Sequence, residues 1–102
     1  MTDLLNDLAK DCRAAHETWW RDPATGKPVV RNPGELKMLM VSEIAEAMEG
    51  ERKDLMDDKI VHRKMAEVEL ADALIRIFDY AGGFNVDLFE TPHTSLNEFA
   101  AA

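Results

Sequence analysis

Residues 65–81, MAEVELADALIRIFDYA, decide the fold. On an α-helix, at about 100° per residue, Ala66, Leu70, Ala71, Ala73, Leu74, Ile75, Ile77 and Phe78 cover most of the circumference. A helix apolar nearly all round is expected to be buried. Yet Glu69, Asp72, Arg76 and Asp79, at offsets i, i+3, i+7 and i+10, share one stripe roughly 80° wide. Buried like charges cost on the order of several kcal/mol per ion unless they are paired or hold a metal. One solution is an exposed face laced with Asp72–Arg76 and Arg76–Asp79 pairs at helical spacing.

A second stretch points elsewhere. Residues 36–48, LKMLMVSEIAEAM, are again helical and mostly apolar. Glu43 falls between Leu39 and the Leu36/Ala47 side of the wheel, on the arc expected to face a core, and Glu46 lies beside Leu39. Both helices thus carry an i,i+3 carboxylate pair in an apolar setting: Glu43-x-x-Glu46 and Glu69-x-x-Asp72. Four carboxylates facing one another across a helix pair make a hard-cation site.

Glu43-x-x-Glu46 followed by Glu69-x-x-Asp72, in this apolar setting, resembles the paired carboxylate motif of the MazG-like all-α nucleoside triphosphate pyrophosphohydrolases. The resemblance spans about residues 19–88, including WWRDPATGKP, RNPGELKMLMVSEIAEAMEGERK and EVELADALIRIFDYAGG. It implies an all-α bundle of three main helices plus a short C-terminal one, its core completed by assembly into a homodimer or homotetramer. The implied activity is hydrolysis of a (deoxy)nucleoside triphosphate between the α and β phosphates, giving the monophosphate and pyrophosphate. Glu43, Glu46, Glu69 and Asp72 would hold Mg²⁺, or Mn²⁺ in its place. The candidate to orient or deprotonate the attacking water is Glu46, with Glu43. Arg76 and Asp79 would form a pair that fixes Asp72. Two rivals stay open: a nucleotide- or metal-binding module without turnover, and a purely structural helical oligomer.

The bulk properties agree with a single small domain over residues 1–102. A net charge of −8 makes nucleic acid a poor partner, because phosphate contact needs clustered Lys and Arg. The single cysteine, Cys12, excludes a disulfide framework and a Cys-x-x-Cys metal site, and suits a reducing cytoplasm. No apolar run reaches about 18 residues, and the opening MTDLLNDLAKD lacks a basic leader, so neither a membrane span nor a signal peptide is expected.

In chain order, residues 1–20 read as a first helix capped by Thr2, with Leu4, Leu5, Leu8, Cys12, Ala15 and Trp19 tracing one face. Trp19 reads as core. Trp20 and His16 are either core and surface residues or the wall of a base pocket. Residues 21–34 are a loop or small hairpin around Ala24-Thr25-Gly26-Lys27. Gly26-Lys27 matches only the end of a P-loop, and Pro28 replaces its Ser/Thr. Asn32, Pro33 and Glu35 form a helix start, and the second helix runs over about residues 35–49, with Gly50 weakening its continuation. The charged connection GERKDLMDDKIVHRK follows; its Asp54, Asp57 and Asp58 lack the register of a calcium loop. The third helix, residues 64–81, ends at Gly82-Gly83, and a short helix starts near Phe84 and breaks at Thr91-Pro92. Glu90-x-x-His93 reads as chance spacing, Ser95–Glu98 as a capping box, and residues 100–102 as a frayed end.

The family resemblance also implies basic groups after the third helix, yet no Lys or Arg follows Arg76. Cations that meet a triphosphate must then come from Lys53, Lys59 and Arg63 in the connection, or from Arg21 and Lys27 in the early loop. The connection is the expected source, because it joins the two acidic helices.

Overall fold

A computed structural model describes residues 3–89, and within them the chain is all-helical. Helix α1 is Leu4–Ala15, α2 is Pro33–Lys53 and α3 is Met65–Phe84, with a 3-10 turn at Glu17–Trp20. Among the described residues there is no strand, only the isolated bridges Arg21–Pro28 and Met56–Lys64. No helix among them is long and apolar enough to cross a membrane. The Thr2 cap, Glu90-x-x-His93, the Thr91-Pro92 break, the Ser95–Glu98 box and the 100–102 end lie outside the described residues. So does most of the 84–102 segment; residues 85–89 form turns rather than the expected short helix.

The chain divides into two compact units, one formed by residues up to Pro28 and from Phe78 onward, the other by Val29–Ile77. In the first unit, Asp3 caps α1, its Oδ1 accepting from the Asn6 N–H at 3.2 Å. The helix stops at Ala15 and tightens into the 3-10 turn, which changes the register. Trp20 is thereby the inward residue of the turn and Ala9 that of α1, while Leu4 and Trp19 of the expected face stay exposed and half-buried respectively. Trp20 packs edge-on to Trp19 and Phe84, with the Arg13 guanidinium 4.7 Å from its ring centroid.

Gly82-Gly83 does not end α3. Asn85, at φ 55°, is the left-handed residue after it, and the Val86 N–H returns to the Ala81 carbonyl at 2.9 Å. The two glycines serve packing instead: a Cβ on Gly82 would strike the Ala9 carbonyl, and one on Gly83 would strike the Trp20 ring.

In the second unit, Asn32 caps α2 as expected, accepting from the Glu35 N–H at 3.0 Å, and Pro33 fills the first turn. Gly50 lies inside this helix, which runs on to Lys53 and is closed by Asp54 at φ 51°. A Cβ on Gly50 would lie 2.8 Å from Met65 Cβ, so the residue that lowers helix propensity is the one that lets α3 start against α2. The inner side of α2 carries Leu36, Glu43, Ala47 and Gly50. The part of the acidic stripe of α3 within this unit also turns inward, with Glu69 buried and Asp72 and Arg76 half-buried; Asp79, which belongs to the first unit, is buried there. Leu70 and Leu74, expected in the core, are more than half exposed. The helix thus buries Glu69 together with Ala73 and leaves these two leucines outside.

Candidate metal centre

Helices α2 and α3 bring Glu43, Glu69 and Asp72 together, with one oxygen of each within 4.8 Å of the others. The i,i+3 spacing of Glu69 and Asp72 puts both on the side of α3 that meets Glu43. Glu43 and Glu69 are each only 9% exposed. Arg76, one turn beyond Asp72, donates from Nε to Glu43 Oε1 at 2.8 Å.

Electrostatics divide the three acids. A hydrogen bond to Glu43, burial, and the neighbouring Glu46 push the Glu69 carboxyl up to about 8. Glu43 moves the other way: the hydrogen bond from Glu69 and then Arg76 hold it below the usual carboxylate range, against the cost of burial. Asp72 is raised by burial and by the charges of Glu43 and Asp57, with Arg76 and Lys59 opposing. The opposite directions of the two shifts are those of a carboxyl pair that shares one proton, held on the Glu69 side. Glu69 Oε2 remains buried with no hydrogen-bond partner. A divalent cation would replace that proton and satisfy the orphaned oxygen, and the oxygen-only ligand set suits Mg²⁺ or Mn²⁺.

The cluster opens on a cavity of about 580 Å³. Glu43, Glu46, Glu69, Asp72 and Met65 line it from the helices, and Leu55, Met56, Asp57, Asp58 and Lys59 from the connection. Glu46 stands on this wall but is exposed, outside the three-carboxylate group.

Arg76 and Asp79 do not pair as expected: Arg76 binds Glu43, and the buried Asp79 accepts from Trp20 Nε1 at 2.9 Å. Trp20 is only 6% exposed, so its faces are taken by packing and it is no open stacking wall for a base. His16 is half-buried, with Nδ1 2.9 Å from the Cys12 carbonyl and 3.9 Å from Asp79 Oδ1. Lys53 is tied to Glu49 at 2.5 Å and Arg63 to Glu67 at 3.1 Å. In the early loop, Arg21 binds Glu17 at 2.7 Å. Of the named basic residues, only Lys59 lines the acidic cavity.

Asp57, which the sequence offers only as part of a calcium loop whose register it lacks, lines the same cavity. It is 5% exposed, and its Oδ2 accepts from the Lys59 N–H at 3.0 Å and the Ile60 N–H at 2.7 Å. An Asp followed at two and three residues by free N–H groups is the signature of such a turn. Here it is hidden in a charged run that reads as solvated.

Fold and site together define an all-α protein with a buried, oxygen-only acidic cluster between two helices. No family model, curated protein or solved structure matches the chain.

Proposed function

We propose that the protein is a Mg²⁺-dependent hydrolase of MazG-like type, cleaving a (deoxy)nucleoside triphosphate between the α and β phosphates. The observation that carries this reading is the convergence of Glu43, Glu69 and Asp72, one of them with an unpartnered buried oxygen, at the wall of a large cavity. When bound, Mg²⁺ neutralises the phosphate chain and polarises the reacting phosphoryl oxygen. Glu43, Glu69 and Asp72 would hold it. Arg76 offsets one of their charges and fixes the Glu43 carboxylate. Glu46, on the same wall and in contact with solvent, accepts a proton from the attacking water. The lone Cys12 fits a reducing cytoplasm.

The test is pyrophosphate release from the common dNTPs with Mg²⁺. Glu69→Gln and Asp72→Asn should each lower the rate by more than about a hundredfold while leaving the fold intact. Wild-type rates in both variants would reject the site.

One observation favours a second reading. Arg76 already neutralises Glu43, so the cluster is tolerable without a cation, as in a binding module without turnover or a structural helix pair. Mg²⁺ binding without pyrophosphate release identifies the module, and absence of both identifies the structural protein. We also propose that copies associate as a dimer or tetramer through the exposed apolar sides of α2 and α3.

A further inference from the structure

A cavity walled by carboxylates repels a phosphate chain wherever a metal does not shield it. A cation held on that wall removes the difficulty. The second unit offers several, and most are occupied. Arg52 and Lys53 face Glu49 at 3.5 and 2.5 Å, Lys64 binds Asp54 at 2.6 Å, Arg63 binds Glu67 at 3.1 Å, and Arg76 binds Glu43 at 2.8 Å. Lys59 lines the cavity beside Asp57 and Asp72. Its backbone is fixed rather than loose. The buried Asp57 carboxylate takes the N–H groups of Lys59 and Ile60, and the Asp57 N–H donates to the Arg63 carbonyl at 2.9 Å. The short stretch from Asp57 to Arg63 is thereby closed on itself, with Lys59 within it.

We propose that Lys59 is the phosphate-chain contact of this site and that Asp57 is the positioning residue that holds it there. The inference rests on the metal–triphosphate reading above and adds to it the group that recognises the anion. Lys59 supplies a mobile point charge with three donors, suited to oxygens along a chain rather than to one planar carboxylate. Asp57 accepts from two backbone N–H groups and its charge also reaches Asp72, so its effect on the phosphate chain through Lys59 is read at saturating Mg²⁺, apart from any change in metal affinity.

Calorimetric titration tests this with two probes, Mg²⁺ alone and inorganic tripolyphosphate in saturating Mg²⁺, so that no base preference enters. Lys59→Ala should keep Mg²⁺ affinity within about twofold and weaken tripolyphosphate about tenfold or more, the worth of a charge-assisted hydrogen bond. Lys59→Arg should recover most of the loss. Asp57→Ala should match Lys59→Ala, the double variant should be no worse than either, and Asp57→Asn, which keeps the acceptor oxygen, should stay near wild type. Asp57→Ser, with a shorter acceptor, replaces Asp57→Ala if the latter does not fold. Unchanged tripolyphosphate affinity in Lys59→Ala, or wild-type protein that takes Mg²⁺ but no tripolyphosphate, overturns this inference and leaves the metal site standing. Additive losses overturn the role of Asp57. Wild-type protein that takes no Mg²⁺ overturns the metal reading and this inference together.

Discussion

Glu69 sets the pH response of the metal-free protein. Its hydrogen bond to Glu43 and its burial push it up to about 8, far above an unfolded glutamate at about 4.3. The folded state therefore binds this proton more tightly than the unfolded state. The stability it contributes is complete below the unfolded value and is lost as pH rises through about 8. Asp72, also raised, acts with the same sign. Glu43 is held low, so its contribution is present above the unfolded value and is lost only in more acid solution. The melting midpoint of the metal-free protein should consequently fall between about pH 5.5 and pH 8.5. A change of about 1 kcal/mol corresponds to ~4–8 °C in a domain of this size. Glu69→Gln should flatten the profile, and so should saturating Mg²⁺, which takes the place of the proton. Scanning calorimetry across that range checks the sign, and a midpoint that climbs with pH would reject the shared-proton arrangement.

At the scale of elements, the start of α3 depends on a residue with no side chain. Gly50→Ala gains about 1 kcal/mol of helix propensity, yet its Cβ would crowd Met65 Cβ and the Ala66 backbone. Neither is the far end of a flexible chain, and overpacking of this kind costs about 1–3 kcal/mol. The net expectation is a less stable protein and a displaced Glu69, read as a lower denaturant midpoint together with weaker Mg²⁺ binding. Equal or higher stability would show that the helices can part at little cost. This position also marks what the sequence could and could not convey. Glu43, Glu69 and Asp72 were legible because charge in an apolar arc breaks a rule that depends only on helical period. Propensity is local and reads Gly50 and Gly82-Gly83 as helix ends, while the close approaches that use them are to Met65, Ala9 and Trp20, which are 15, 73 and 63 positions away. Helical spacing offers Arg76 only Asp72 and Asp79, whereas its partner Glu43 is 33 residues distant. Asp57 was obscured because an isolated turn in a charged run leaves no period to read.

For the whole molecule, the apolar residues that the helices do not bury matter most. On α2, Met38, Val41, Ile44 and Met48 are each more than half exposed, on the side away from Leu36, Glu43 and Ala47, and Leu70 and Leu74 are equally open on α3. Excess apolar surface was visible in the sequence. Which residues would form it was not, because the acidic stripe turned inward and displaced the leucines. Light scattering at low micromolar concentration should find an assembly of two or four chains, and Val41→Glu with Leu74→Glu should reduce it to a single 11.5 kDa species. A wild-type protein already of that mass would reject the association.

The aromatic packing around Trp20 has an optical consequence. Val29–Ile77 contains no Trp, Tyr or Phe, whereas Trp19, Trp20, Tyr80 and Phe84 all belong to the other unit. Ultraviolet emission and near-ultraviolet dichroism therefore report on the unit built around Trp20, and the unit carrying the acidic cluster is dark in both. Far-ultraviolet dichroism sees the helices of both units. Recorded on one sample, helix loss in the far ultraviolet without loss of the aromatic signal locates melting in the unit that carries the acidic cluster, with no label added to the chain.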